Sequence, residues 1–250
     1  MSRITDRVAV ITGATRGVGR ATARCFAQAG CRLVLGARGE EPLQALADEL
    51  GPANGNIVTV PTDVTHQDEC QRLVQTALAR FGTVDIVVAN AGIGWVAPLH
   101  EQTDEWWHRV VDVNLHGVYY TVKAAIPHMI ERQAGHLIII SSVNAIRPNI
   151  NWGAYVPTKY ATRGLAEMLQ LELKPNRIKV SQIHLGGVRT TFRSGFDERW
   201  AAPNPQAQAD PDRVLTPEDC ADAVLWCAES ATSPSAVPVE IFLQSWATIR

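Results

Sequence analysis

A tyrosine and a lysine four residues apart, Tyr155 and Lys159, have the clearest chemical potential in this chain. If the segment that contains them is helical, residues at this spacing share one face, so the ammonium lies beside the phenol. A free phenol has a pKa of about 10 and a free lysine a pKa of about 10.4, and a nearby cation favours the phenolate. The pair can therefore make a proton donor, although the same spacing also occurs where a half-buried ring lies beside a solvated amine.

A glycine-rich segment follows the first predicted strand and opens a predicted helix. Glycines let the backbone turn tightly and approach a pyrophosphate, whose charge is met by the amides and dipole of the following helix. The spacing is G-x-x-x-G-x-G rather than the usual G-x-G-x-x-G, and a merely flexible turn is the alternative. The segment predicts a dinucleotide phosphate site formed by Gly13, Thr15, Arg16, Gly17, Val18 and Gly19.

The end of the second predicted strand bears on the choice between NAD(H) and NADP(H). In many dinucleotide folds an acidic residue there binds the ribose 2′-hydroxyl and repels a 2′-phosphate. This chain has Ala37 and Arg38 at that point, and Arg16 projects from the glycine loop towards the same side. Two arginines favour a phosphate through charge-assisted bonds, so we predict NADP(H), unless both are only solvated surface charges.

Polar residues also follow the third and fourth predicted strands. Asp63, with Val64 beside it, follows the third strand, and Asn90-Ala91-Gly92 follows the fourth. Ligands in open α/β sheets bind at these carboxyl ends. We expect Asp63 to accept a bond from the adenine amino group and Asn90 to brace the sheet edge or the ribose, although both residue types are common in turns.

Short apolar, β-branched runs alternate with longer amphipathic stretches along the chain. The predicted strands are 8–12, 32–36, 57–60, 84–89, 137–140, 178–184 and 239–243, and the predicted helices are 17–29, 41–50, 67–81, 103–131, 154–173 and 217–230. This order predicts an α/β fold, Rossmann-like and doubly wound, with a seven-stranded parallel sheet flanked by helices in a single domain, 1–250. The irregular segment 186–215 is expected to form a lid over an apolar ligand, or else an exposed insertion at a dimer contact.

Composition excludes several partners. The chain has 250 residues and a net charge of −2, so no global field recruits nucleic acid or an anionic membrane. Its five cysteines show no C-x-x-C spacing, its seven histidines show no metal-like spacing, and no apolar run approaches the ~20 residues of a membrane helix. We expect a cytoplasmic protein with no metal.

The motifs together resemble the short-chain dehydrogenase/reductase family, in its single-domain subgroup. The resemblance runs from about residue 7 to 243 and rests on Thr12-Gly13-x-x-x-Gly17-x-Gly19, Asp63-Val64, Asn90-Ala91-Gly92, Asn114, Ser142 and Tyr155-x-x-x-Lys159. It implies that Tyr155 is the general acid/base, and that Lys159 lowers its pKa and holds the nicotinamide ribose. Ser142 would bond the substrate oxygen, and Asn114, at a kink within helix 103–131, would hold a water that links the lysine to solvent.

The resemblance also implies that Gly187, Val188 and Thr190 contact the cofactor, Thr190 through the carboxamide. The family commonly carries Pro-Gly after the sixth strand, whereas this chain reads Leu185-Gly186-Gly187, which predicts a looser loop. The glycine pair common after the last strand is absent as well. A homodimer or a homotetramer is expected by resemblance.

The predicted substrate pocket is apolar with one amide. Its expected residues are Gly94, Trp95, Ser142, Asn144, Trp152 and Phe192. This character favours a ketone or aldehyde with hydrophobic or aromatic bulk. Arg147, Arg189 and Arg193 could bind a substrate carboxylate, or instead pair with the protein's own acids.

These features predict an NADP(H)-dependent oxidoreductase that exchanges a hydride between nicotinamide and a ketone, aldehyde or alcohol. A hydroxy-acid dehydrogenase or a 3-oxoacyl-thioester reductase is the alternative enzyme. The thioester reductase would need a basic patch for an acidic carrier, and the near-neutral net charge of the chain and its scattered arginines offer no clear one. The non-enzymatic alternative is an NADPH-binding sensor. A sensor has no use for a proton relay, so the set Asn114, Ser142, Tyr155 and Lys159 argues against it.

Overall fold

The computed structural model describes residues 2–51, 55–193 and 214–245. Its strands are β1 (Val8–Thr12), β2 (Arg32–Ala37), β3 (Ile57–Pro61), β4 (Ile86–Ala89), β5 (Gly135–Ser142), β6 (Ile178–Leu185) and β7 (Glu240–Leu243). All pair in parallel, in the order β3-β2-β1-β4-β5-β6-β7. The predicted seven-stranded parallel sheet is confirmed. The order reverses between β1 and β4, where such sheets bind ligands.

Helices cover both faces of the sheet. They are α1 (Gly17–Gln28), α2 (Glu40–Leu50), α3 (Gln67–Phe81), α4 (Asp104–Val111), α5 (Gly117–Arg132), α6 (Tyr155–Leu173) and α7 (Pro217–Ser230). Alternate strand residues enter two cores, with Ile11 among side chains of α1, α2 and α7 and Val10 among those of α3, α5 and α6. Both faces of the strands are buried, so the strand sequences are continuous apolar runs. The Rossmann-like, single-domain prediction is confirmed.

The predicted helix 103–131 is divided in two. A π-helical turn, Asp112–His116, separates α4 from α5, and the fully buried Asn114 lies at its centre. Thr103 caps α4 by accepting a bond from the Trp106 amide at 3.3 Å. The kink expected at Asn114 is therefore present, as one wide turn that aims the amide side chain into the protein.

Strand β5 is longer than predicted at both ends. Its pairing with β6 continues from Gly135 opposite Ile178 to Ser142 opposite Leu185. Ser142 therefore belongs to the sheet rather than to the loop that follows. At Ser142 the pairing is with β6 alone, because the pairing of β5 with β4 ends at Ile139. This pairing fixes the Ser142 main chain at the end of the strand.

Segment 186–215 is attached to the sheet at its first residue, and its two ends are joined to each other. The Gly186 amide donates to the Leu243 carbonyl at 2.8 Å, and the Arg189 amide donates to the Leu215 carbonyl at 2.8 Å. Both contacts restrain the loop that was expected to be loose. Residues 194–213 of the expected lid lie outside the described residues. Within the ranges the structure describes, no helix has the length and apolarity to cross a membrane.

Two glycine substitutions should change stability in opposite directions. Gly164 is exposed within α6 and an added Cβ meets no atom within 4 Å, so Gly164→Ala should raise the free energy of unfolding by about 1 kcal/mol. At Gly19 an added Cβ would collide with the Gly13 carbonyl oxygen, so Gly19→Ala should lower the free energy of unfolding by roughly 1–3 kcal/mol. Urea unfolding measures both, and a Gly19→Ala protein as stable as wild type would contradict this packing.

Candidate active site

A cavity of about 660 Å³ lies at the carboxyl ends of the strands. It is lined by most residues predicted for cofactor and substrate: Gly13, Thr15, Arg16, Gly17, Val18, Arg38, Asp63, Val64, Asn90, Ala91, Gly92, Ser142, Asn144, Trp152, Tyr155, Lys159, Gly187, Val188, Thr190 and Phe192. Residues distant in sequence thus share one wall, as expected for ligand sites in open parallel sheets.

Four predicted site residues do not line this cavity. Gly94 is buried, and the Trp95 ring stacks on Trp106 with centroids 4.1 Å apart, which directs it into the apolar packing beside the cavity. Gly19 supports the glycine loop from behind by allowing close approach to Gly13. Asn114 is fully enclosed. The pocket prediction for Gly94 and Trp95 thus differs from the observed wall, because it took no account of the Trp95–Trp106 stack.

The glycine loop has the backbone that its composition predicts. Gly13 and Gly17 adopt φ of 64° and 52°, values that side chains disfavour. Arg16 precedes α1 in an extended conformation, and Gly17 is the first residue of the helix. Thr190 packs beside Gly17, since a Cβ there would lie 3.3 Å from its methyl group. The amides at the start of α1 and Thr190 therefore border the same part of the cavity.

Asn90 holds the glycine loop to the sheet. Its side-chain nitrogen donates to the carbonyls of Thr12 and Gly13, at 2.9 and 3.2 Å. The Thr12 hydroxyl accepts from the amides of Asn90 and Ala91, at 3.1 and 3.2 Å. Of the two roles predicted for Asn90, these contacts show the bracing of the sheet edge.

Arg16, Ala37, Arg38 and Asp63 line one end of the cavity. The Asp63 carboxylate accepts from the Thr65 amide at 3.0 Å and hydroxyl at 2.8 Å. Burial acts to raise the pKa of Asp63, but the bonds from Thr65 and the charge of Arg38 outweigh it, so this pKa lies below its ordinary value. The carboxylate is therefore ionised at neutral pH beside two arginines.

Tyr155, Lys159 and Ser142 line another part of the same cavity. The Lys159 ammonium lies 5.6 Å from the centre of the Tyr155 ring and donates to the Ile140 carbonyl at 3.1 Å. Lys159 is only 6% exposed, and burial lowers its pKa to about 8. The Ser142 hydroxyl accepts from the Asn144 amide at 3.2 Å. The predicted phenol and ammonium thus share a face of α6.

Asn114 connects the segment after β4 to the first turn of α6. Its side-chain oxygen accepts from the Ile93 amide at 2.9 Å, and its nitrogen donates to the Ile93 carbonyl at 2.8 Å and to the Thr158 hydroxyl at 3.3 Å. That hydroxyl donates to the Tyr155 carbonyl at 2.7 Å. Asn114 therefore positions the Tyr155 turn, and its role in holding a water stays a prediction.

A buried polar chain behind Ser142 was missed by sequence reasoning. His184, fully buried, lies 3.3 Å through Nδ1 from the Ser142 carbonyl and 3.2 Å through Nε2 from Glu240, which pairs with Arg163 at 3.1 Å. Burial lowers the pKa of His184, although the Ser142 carbonyl and Glu240 act in the opposite direction. The chain joins β5, β6, β7 and α6 just behind the site. A histidine in an apolar strand was the only sequence signal.

Aromatic rings border Tyr155. The Trp152 ring centroid lies 4.9 Å from that of Tyr155, and the Phe192 centroid lies 5.8 Å away in an edge-on arrangement. Asn149 donates to the Asn144 side-chain oxygen at 2.7 Å. Lining residues that sequence reasoning missed include Ile93, Arg109, Val113, Val143, Asn149 and Thr191. Across the described part of the chain, no three His, Cys, Asp or Glu side chains are grouped to hold a metal.

The fold and the composition of this cavity define a nucleotide-dependent oxidoreductase of the short-chain type. The short chain dehydrogenase family matches residues 7–200, and the chain belongs to that family. The predicted resemblance is confirmed.

The chain is similar to proteins of the same length. An uncharacterized oxidoreductase of Staphylococcus aureus strain MW2 is 36% identical over 239 residues, 96% of each chain. Among solved structures, an alcohol dehydrogenase from Thermococcus sibiricus complexed with 5-hydroxy-NADP is 32% identical with a TM-score of 0.85, covering 98% of both chains. A 3-ketoacyl-(acyl-carrier-protein) reductase from Brucella melitensis complexed with NADH is 28% identical with a TM-score of 0.87, covering 98% of this chain and 100% of that one.

The buried lysine should make stability depend on pH. An unfolded lysine has a pKa of about 10.4 and the folded Lys159 about 8, so between these values the unfolded chain binds more protons. The unfolding free energy of cofactor-free wild type, relative to Lys159→Met, should therefore rise by roughly 3 kcal/mol from pH 7 to pH 10.5. Urea unfolding at several pH values measures this.

The exposed Lys174 provides the control for this pH series, because Lys174→Met removes a lysine that is not buried. The difference in unfolding free energy between wild type and Lys174→Met should change little from pH 7 to pH 10.5. An equally flat difference for Lys159→Met would contradict the burial of an ammonium with a lowered pKa.

Proposed function

We propose that the protein is an NADP(H)-dependent oxidoreductase that transfers a hydride between nicotinamide and a ketone, aldehyde or alcohol. The observation that carries this proposal is a single cavity with Tyr155, Lys159 and Ser142 in one part of its wall and Arg16 and Arg38 in another. Family membership supplies the reaction class. The gathering of a proton donor, a cation and a hydroxyl supports carbonyl chemistry.

The residues present fit a dinucleotide. The positive φ of Gly13 and Gly17 and the close approach at Gly19 leave a backbone cradle at the start of α1 that side chains would fill. Helix N-termini of this kind favour phosphate groups. Lys159, Asn90 and Thr190 line the same cavity and offer hydrogen-bonding groups along it. The site therefore matches a long, anionic, hydroxyl-bearing cofactor.

The nicotinamide cofactor supplies the hydride when it is bound. In the reducing direction Tyr155 donates its phenolic proton to the substrate oxygen, and in the oxidising direction it accepts that proton. The Ser142 hydroxyl donates a bond to the oxygen on which negative charge develops. The Lys159 ammonium favours the phenolate and would hold the ribose hydroxyls of the bound cofactor. Trp152 and Phe192 exclude water and contact apolar substituents.

The preference for NADP(H) rests on charge. Arg16 and Arg38 line the cavity where Ala37 offers no carboxylate. Guanidinium groups match phosphate geometry and cannot be deprotonated under physiological conditions. The solved neighbours support both possibilities, because the Thermococcus sibiricus enzyme was complexed with 5-hydroxy-NADP and the Brucella melitensis enzyme with NADH. The arginines of this chain favour the phosphorylated cofactor.

Resemblance and exposed apolar surface support a homo-oligomer, either a homodimer or a homotetramer, and the cytoplasmic location stays a prediction from the cysteine pattern. Large apolar side chains are exposed on the helix that carries the site, with Leu171 at 77% and Met168 at 43%, and on α7 and β7, with Trp226 at 56% and Phe242 at 51%. Exposed apolar surface of this kind is common at protein contacts.

Removing the phenolic hydroxyl should separate catalysis from binding. Tyr155→Phe should lower turnover at least about a thousandfold because proton transfer is lost, while NADPH affinity changes little. Lys159→Ala should impair both, because the ammonium would also hold the ribose hydroxyls of the cofactor. Steady-state kinetics and NADPH fluorescence titration measure these effects.

Tyr160→Phe is the matched control, because it removes an exposed hydroxyl of the same helix that bonds to the Ile146 carbonyl at 2.8 Å. It should retain nearly full turnover. Unchanged turnover in Tyr155→Phe would refute the proposed role of this tyrosine.

The arginines should set the preference between cofactors. Arg38→Gln should raise the KM for NADP+ about tenfold to a hundredfold, the effect of losing a charge-assisted bond, and leave the KM for NAD+ nearly unchanged. Arg24→Gln is the control, because Arg24 pairs with Glu49 on the outer side of α1. Wild-type enzyme that binds NAD+ more tightly than NADP+ would overturn the NADP(H) assignment.

A further inference from the structure

Arg109 is a charged lining residue that the proposed cofactor and proton chemistry does not use. It lies on α4 and lines the cavity together with Val113, four residues further along the chain. The centre of its guanidinium lies 5.0 Å from the ring centroid of Trp106, and Trp106 stacks on Trp95. A guanidinium over an aromatic face is held by cation–π attraction. The side chain is exposed, and the Trp106 ring supports its guanidinium on the cavity side.

The position of Arg109 is at the Tyr155 end of the cavity. Trp106, beneath the guanidinium, packs against the apolar cluster of Val110, Ala154 and Tyr155. Trp152 and Phe192 pack against the same cluster. Arg16 and Arg38 instead belong to the glycine loop and the end of β2. Arg109 thus lies beside the space expected for substrate.

The charge of Arg109 is uncompensated within the described part of the chain. No carboxylate there forms an ion pair with it, and Asp63 is the only acidic residue among the described residues of the cavity wall. Asp63 interacts with Thr65 and Arg38 at the other end. Glu105 and Asp112 lie at helical spacing from Arg109, but neither pairs with it or lines the cavity. An anion entering beside Tyr155 would therefore meet a guanidinium that Trp106 supports.

We infer that Arg109 binds a carboxylate of the substrate, so that the substrate is an oxo acid in one direction and a hydroxy acid in the other. A guanidinium presents parallel donors that match the two oxygens of a carboxylate. In reduction, the carbonyl carbon takes the hydride and its oxygen takes the Tyr155 proton, while Arg109 holds the remote carboxylate. Trp152 and Phe192 favour an aromatic group between these two points. This inference rests on the proposed function and names its substrate class.

Kinetics with matched acids and esters test the carboxylate site. The substrates are benzoylformate, 3-benzoylpropionate and 4-benzoylbutyrate, each paired with its methyl ester, with NADPH as reductant. At least one acid should be reduced with a kcat/KM about tenfold or more above that of its ester. Arg109→Met should abolish that preference by lowering the kcat/KM for the acid far more than that for the ester, and Arg109→Lys should retain part of it.

Arg147→Met serves as the rival variant, because Arg147 is also exposed but does not line the cavity. It should keep the acid preference. No acid preference in wild type, or a preference that survives Arg109→Met, would overturn the inference. If Arg147→Met loses the acid preference and Arg109→Met keeps it, the substrate carboxylate binds near Arg147, and the inference about Arg109 is overturned as well.

Binding without turnover separates this inference from the proposed function. Calorimetric titration of NADP+-loaded protein with benzoate and with methyl benzoate should show benzoate binding that weakens about tenfold or more in Arg109→Met, with the ester unaffected. If this holds and no carbonyl compound is reduced, the proposed function fails while the carboxylate site stands. If ketone esters are reduced but benzoate binds Arg109→Met as well as wild type, the carboxylate site fails alone.

Discussion

The burial of one ammonium group constrains the whole site. Lys159 is almost fully enclosed, and its bond to the Ile140 carbonyl uses one of the three protons it can donate. A buried charge is costly unless polar groups surround it, and its lowered pKa expresses that cost. The residue lines the cavity beside Tyr155, so hydroxyl-rich ligands that enter there meet an ammonium with unused donors. We expect a ligand that accepts these bonds to offset part of the cost of burying the ammonium.

The surrounding elements keep that ammonium and its neighbours in place. Asn114 fixes the first turn of α6 through Thr158, and it can do so because the π-helical turn aims its amide inward. His184 and Glu240 support the end of β5 from the opposite side, so that the Ser142 main chain is held by both pairing and side-chain contacts. These contacts occur between elements far apart in sequence. The reactive groups are therefore positioned by the sheet and its helices rather than by loops.

The sequence predicted most of the architecture because buried parallel strands and amphipathic helices leave periodic patterns. Pattern reasoning also located Tyr155, Lys159 and the glycine loop, whose spacing is local. It did not anticipate that Trp95 stacks on Trp106, since this contact depends on how α4 lies over the segment after β4. Arg109 was missed for the same reason, because a charged residue in an exposed helix gives no sign of the cavity that its face borders. Side-chain contacts between distant elements need the folded geometry.

Charge along the cavity links the two ends of the proposed chemistry. Arg16, Arg38, Lys159 and Arg109 all line the cavity. In the proposed chemistry the first two would bind the phosphate of the cofactor, and the last two would bind polar and anionic groups beside Tyr155. The central claim is that this cavity brings nicotinamide and a carbonyl group together beside Tyr155. The most direct measurement supplies NADPH carrying deuterium at the transferring carbon of the nicotinamide and analyses the alcohol product by mass spectrometry. One deuterium on the carbinol carbon is the predicted result, and NADPH binding with no deuterium transferred to any ketone, aldehyde or oxo acid would contradict it.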